Sequence, residues 1–161
     1  MIDVSTDTKT RVSNPLLAIA AGGLIAGILD LGQAIFLFGA KIPLAIAAGL
    51  LGPQAFGGGA PTYILGVLLH FFIAFSAATI YFAASRKLRF LTEYALICGL
   101  FFGVAVELVM RLIVLPLSAL HASGPYAYRD LVQGLAVHMV IVGLPISFSV
   151  RLFARAAEPI Q

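Results

Sequence analysis

The sequence predicts an all-α polytopic membrane protein, a four-transmembrane-helix up-down bundle with both termini in the cytoplasm. Three observations predict it. Of 161 residues, 61% are hydrophobic and 11% charged, and the mean hydropathy is +1.05, far more apolar than a soluble domain. Four apolar stretches, residues 15–40, 61–84, 94–119 and 131–153, each reach the roughly 20 residues needed to cross the hydrocarbon core. The basic residues collect at one side of these stretches. Lys9, Arg11, Arg86, Lys87, Arg89, Arg151 and Arg155 flank one side, and only Lys41 and Arg129 the other, which assigns the first side to the cytoplasm.

Residues 1–14 and 154–161 then read as cytoplasmic tails around one membrane domain, 15–153. The formal charge of +3 and pI near 9.3 reflect membrane topology, so the expected partner is the lipid bilayer and no nucleic acid. The first apolar run is too long for a signal-peptide core and reads as a retained helix. Cys98 is the single cysteine, which excludes an intrachain disulfide.

Asn14-Pro15 predicts an N-cap followed by proline at the first helical position of span one. Pro61 can open span two in the same way. Thr92-Glu93 offers a cap and a first-turn acid for span three, and Pro116 should end or kink that helix. Asp130 can cap span four. Pro145 lies within that span, where neighbours must satisfy the carbonyl it frees. Between spans one and two, residues 43–51 (PLAIAAGLL) are apolar but too short to cross. They are expected as a short interfacial helix capping the bundle in the first outer loop, the alternative being a gate hinged at Gly57, Gly58 and Gly59.

Small residues mark helix contacts in membranes because they let backbones approach. Gly23 and Gly27 in span one, Gly66 in span two, Gly99 and Gly103 in span three and Gly134 in span four are the expected packing positions. Each hairpin pairs a Gly-xxx-Gly helix carrying an acid with a Gly-xxx-His helix, a faint suggestion of duplication.

Five ionisable residues lie inside the spans: Asp30, His70, Glu107, Arg111 and His138. Such residues are costly in a bilayer and mark functional sites by default. At 1.5 Å per residue, Asp30 is roughly 15 Å from the outer end of its span, the histidines about 12–14 Å, and Glu107 and Arg111 roughly 8–14 Å. All five are therefore expected in one layer near the midplane or in the outer half. Glu107 and Arg111, one turn apart, can pair with each other, while Asp30 has no partner on its own helix.

Several readings follow. His70, His138, Asp30 and Glu107 are the residue types of a divalent-metal shell or a proton relay, with Arg111 setting the local charge, so binding or conduction of a small cation is the expected function. The same residues suit a purely structural network or an accessory subunit of a larger complex or homo-oligomer. A third reading is a b-type haem ligated by His70 and His138, with Gly66 and Gly134 giving the macrocycle room. Glu107 and Asp30 sit awkwardly beside such a ring. An enzyme is not expected, because no Gly-x-Ser-x-Gly, HExxH, P-loop or Rossmann pattern occurs. His121, with Ser118, Ser123 and Tyr126 in the outer link, reads as a loop histidine.

His70 in HFFIAFSAATIYF, Met110 ahead of LPLSAL, and His138 in the last span resemble the small bacterial inner-membrane proteins of the YagU-like type. The resemblance covers about residues 70–155, and the outer region is shorter here than in that group. It implies a four-helix protein of the bacterial cytoplasmic membrane and carries no activity or ligand.

Overall fold

The computed structural model describes residues 14–153. The tail positions, with Lys9, Arg11 and Arg155, lie outside the described residues. Helices α1 (Pro15–Phe38), α2 (Ile42–Leu51), α3 (Gly59–Ser85), α4 (Ala95–Leu117) and α5 (Tyr128–Phe153) account for most of the chain, and no strand occurs among the described residues. Four of them, α1, α3, α4 and α5, are long and apolar enough to cross a membrane. Their outward faces carry large apolar side chains, such as Leu68, Phe72, Phe101 and Leu112, as a lipid-facing surface requires.

The helix ends follow local chemistry. The Leu17 amide donates to Asn14 Oδ1 at 3.0 Å, so the expected cap with Pro15 at N1 forms. Three other starts are displaced. α3 begins at Gly59, where φ is +67°, and Pro61 falls within its first turn. The Thr92 hydroxyl donates backward to the Arg89 carbonyl at 2.9 Å and closes a single turn, Phe90–Glu93. The backbone breaks at Tyr94, and α4 starts at Ala95. Asp130 sits in the first turn of α5, which begins at Tyr128.

α1 packs against α3 on one side and α5 on the other, and α5 packs in turn against α4. The Asn14 amide donates to the Phe153 carbonyl at 2.8 Å, which fixes α1 and α5 as antiparallel. Gly23 and Gly27 face the rings of Phe75 and Phe71 on α3, and Gly22 faces the Ile146 backbone of α5. The closest approach joins α4 and α5. A Cβ on Gly143 would strike the Gly99 carbonyl, and one on Gly103 would strike the His138 carbonyl and the Met139 Cα. Below the polar layer the core is closed by Ala18, Ala26, Ala78, Tyr81, Ile146 and Val150. Tyr81 meets the Phe102 ring edge-on at 4.9 Å and donates its hydroxyl to the Leu91 carbonyl at 2.8 Å.

α2 does not lie across the helix ends as an interfacial helix would. It packs lengthwise on the outer part of α3. A Cβ on Gly66 would strike the Pro43 carbonyl, and Gly66 is seven residues, roughly 10 Å, inward from the start of α3. Near its other end the Gly49 carbonyl accepts from the Ala119 amide at 2.7 Å, just past α4. Pro43, Ala47 and Ala48 form the buried stripe. The chain thus turns inward after α1 and climbs outward again along α3.

Gly103→Val should weaken the α4–α5 contact by about 1–3 kcal/mol, the usual range for overpacking, because the neighbour is backbone and has no way to rotate aside. Gly32, on α1, faces open space, with nothing within 4 Å of where a Cβ would stand. Gly32→Ala should be neutral or stabilising by up to about 1 kcal/mol. Unfolding in mixed detergent, followed by circular dichroism, separates the two.

Candidate polar site within the membrane

Four long helices contribute to one polar layer, and Glu107 is its most buried charge, with a side chain 4% exposed. Its Oε1 pairs with Arg111 Nε, one turn on. Its Oε2 lies 3.0 Å from His138 Nδ1, which also lies 3.0 Å from the Gly134 carbonyl. Both neighbours of Nδ1 are acceptors, so Nδ1 carries the proton and Nε2 keeps its lone pair. His70 is tied differently. Its Nε2 donates to the Gly27 carbonyl of α1 at 2.9 Å, leaving Nδ1 as an acceptor. Asp30 forms no hydrogen bond or ion pair among the described residues, though it lies within electrostatic reach of His138.

Arg111 is held from several sides. Its Nη2 donates to the Asp130 carbonyl at 2.8 Å, and its guanidinium stands 4.7 Å from the Tyr126 ring centre. Gly134 lets the pair fit against α5, since a Cβ there would strike Glu107 Oε1 and come 2.8 Å from Arg111 Nη2.

The two helices that carry this network both open into a wider π turn ahead of a proline. In α4 the turn is Met110–Val114, before Pro116; in α5 it is His138–Gly143, before Pro145. Proline has no N–H and its ring crowds the preceding turn. In α4 the Leu115 amide reaches back to the Met110 carbonyl, and the Arg111 carbonyl loses its helical donor. The Tyr126 hydroxyl supplies one at 3.0 Å. The turn before Pro116 is therefore widened, and α4 ends one residue past it, at Leu117.

Two cavities meet at this layer. The inner one, about 90 Å³, is lined by Asp30, His70, His138 and apolar residues that include Ile46 of α2. The outer one, about 360 Å³, is lined by Asp30, Gln33, Glu107, Arg111, Asp130 and His138, and runs to the outer ends of the helices. The structure thus brings Asp30, His70, Glu107, Arg111 and His138 around two adjoining spaces. Gly57, Gly58 and Gly59 line neither; they join the turn after α2 to α3. His121 stands apart, exposed, with Nδ1 3.4 Å from the Pro116 carbonyl. Tyr126 and the Asp130 carbonyl are the participants that sequence reasoning missed. Their contacts cross between elements and leave no local pattern.

The residues do not suit the two cofactors considered from sequence. A single metal shell of His70, His138, Asp30 and Glu107 does not form. Both Glu107 oxygens are engaged by Arg111 and His138, His70 is turned to Gly27, and among the described residues no three His, Cys, Asp or Glu side chains gather for one ion. A haem between the histidines lacks its space. Pro43 backbone fills the position beside Gly66, Glu107 and Arg111 fill that beside Gly134, and the cavity between the rings is far below the several hundred Å³ of a cofactor site.

No protein-family model, curated protein or solved structure matches this chain.

Glu107→Leu should cost about 3–5 kcal/mol, because it strands the buried Arg111 guanidinium. The double variant Glu107→Leu/Arg111→Leu should recover a good part of that loss, measured as a double-mutant cycle of detergent unfolding. Tyr126→Phe orphans the Arg111 carbonyl and should cost about 1–3 kcal/mol. In a Pro116→Ala background, which restores an amide donor, the same change should cost less.

Proposed function

We propose that the protein is a multi-pass protein of the bacterial cytoplasmic membrane that binds a proton at an intramembrane site open to the outer side. The orientation rests on charge. Arg86, Lys87, Arg89 and Arg151 stand at one end of the long helices, Lys41 and Arg129 at the other, and basic residues favour the cytoplasmic side.

The observation that carries the reading is a set of three uncommitted basic groups on one small cavity. They are the Asp30 carboxylate, His70 Nδ1 and His138 Nε2. A proton needs one lone pair, whereas a divalent metal needs several ligands converging on a point. The inner cavity has room for several waters, enough to join these groups, and the acidic outer cavity favours cations at its floor. Binding is favoured over conduction because Ala26, Ala78, Tyr81 and Ile146 fill the bundle on the inner side.

A second reading is a purely structural network, in this chain alone or as an accessory subunit. It is favoured by one observation: among the described residues, no buried side-chain polar atom lacks a partner.

The two readings separate on proton uptake by purified protein between about pH 8 and 4, where histidine and carboxyl groups titrate. The wild type should show carboxyl and imidazole protonation in infrared difference spectra. If the three groups share one proton through the inner cavity, each of Asp30→Asn, His70→Gln and His138→Gln should shift the infrared bands of the two groups it leaves in place. Proteoliposomes should leak protons no faster than empty liposomes. Variants that lose only their own band, leave the other two unmoved and lower the melting temperature would leave the structural network as the function.

A further inference from the structure

At the end opposite the polar layer, α3 and α4 diverge beyond their contact at Tyr81 and Phe102. They are splayed around an apolar groove of about 630 Å³, lined by Ile80, Ala84, Leu91, Ile97 and Phe101 among others. The volume lies in the roughly 300–1,000 Å³ range of ligand sites. Its walls are almost wholly apolar, and its floor is set where Tyr81 meets Phe102.

The mouth of the groove has the opposite character. It is closed by the link between α3 and α4, which carries Arg86, Lys87 and Arg89 within four residues. The Arg86 guanidinium stands 5.7 Å from the Phe82 ring centre, beside the groove. Arg151 reaches the same place from α5, donating to the Glu93 carbonyl at 3.4 Å. Among the described residues, Arg86, Lys87, Arg89 and Arg151 thus lie at this end of the groove with one acid, Glu93. The positive-inside bias alone accounts for cations at this end of the protein. It does not account for an apolar slot that opens beneath them.

We propose that this groove is a binding site for one anionic phospholipid, with an acyl chain between α3 and α4 and the phosphate at Lys87 and Arg89. Basic pockets between membrane helices recognise such headgroups. A partner helix fits less well on two counts. The α4 wall runs from Ile97 to Phe102, five residues or roughly 8 Å, about a quarter of the hydrocarbon core. The closest backbone approaches among the described helices are at glycines, whereas this groove is walled mostly by large side chains. The proposal does not depend on the proton site.

The test is native mass spectrometry of the delipidated full-length protein in detergent, titrated with phosphatidylglycerol or with phosphatidylcholine of the same acyl chains. One phosphatidylglycerol should be retained in preference to phosphatidylcholine. Lys87→Gln/Arg89→Gln should weaken phosphatidylglycerol binding about 30-fold, the attraction of two cations to an anionic headgroup, and abolish the preference. Five basic residues stay on that side of the membrane in this variant, Lys9, Arg11, Arg86, Arg151 and Arg155, so its orientation should hold. Ala84→Phe should fill the groove and remove both lipids; if it does not fold, Ile97→Phe on the exposed wall serves instead. Equal retention of the two lipids by the wild type would overturn the proposal. So would unaltered phosphatidylglycerol binding in the charge variant, or a dimer that forms with the groove free of lipid.

Discussion

The outer half of the bundle is arranged around the Glu107 carboxylate. An isolated carboxylate is not tolerated in hydrocarbon, and the folded chain divides its two oxygens between Arg111 on the same helix and His138 on the next. That division has consequences at each partner. It ties α4 to α5, demands glycine at 134 so that the pair can lie against the α5 backbone, and turns the second Arg111 nitrogen toward Asp130. It also fixes which nitrogen of His138 is occupied, on a residue that lines the inner cavity. Glu107 holds its neighbours in register, with one partner on each of its two oxygens.

The same two helices depart from regular geometry where they carry the network. Proline at 116 and at 145 removes a backbone donor, and in each helix the preceding turn widens. Wide turns of this kind gather at functional sites, since they re-aim side chains that a regular helix would point elsewhere. Arg111 lies within one and His138 opens the other. In hydrocarbon a freed carbonyl is expensive, and Tyr126 satisfies the one in α4 from the outer link. The bulge in α5 meets α4 at Gly103, where a side chain would collide with it. The irregular backbone is therefore matched, residue by residue, by the element packed against it.

What the sequence makes legible here follows from how strong each signal is in one dimension. The four long apolar helices stand out because about 20 apolar residues in a row have few alternatives. The Glu107–Arg111 contact is visible because it joins i and i+4 on one helix, and the shared depth of the polar residues follows from counting. Helix rotation is not visible. In a lipid-facing bundle the outward face is as apolar as the inward one, so periodicity loses its contrast. That is why the haem and four-ligand metal arrangements looked feasible from depth alone. Gly66 looked like space beside His70, yet Pro43 of α2 occupies it. The placement of α2 was hidden for the same reason, since a ten-residue apolar helix has one composition whether it rests on the surface or packs along α3. Thr92 and Asp130 misled about helix starts because a turn at 90–93 and an extra turn at Tyr128 shift the boundaries by a few residues, well within ordinary uncertainty of such signals.

The two halves of the molecule are built by opposite rules, and this bears on what the polar layer can do. At the end that carries Lys41 and Arg129 the helices spread around a polar cavity, and the smaller space beside it is lined in part by Ile46 of α2, a short helix in contact with Gly66 and Ala119. Toward the inside, alanine, isoleucine and the Tyr81 ring fill the axis, and the groove at that end is apolar and turned sideways to the lipid. On the proposed reading, a proton that reaches the polar layer meets no polar step toward Ala78, Tyr81 and Ile146 among the described residues. Changing protonation there alters the balance of charge around Arg111 and Glu107, and the two π turns are the segments of backbone nearest to that change. The α5 turn is also the segment against which Gly99 and Gly103 of α4 pack, so a change of protonation at His138 bears directly on the α4–α5 crossing, which has no slack to give.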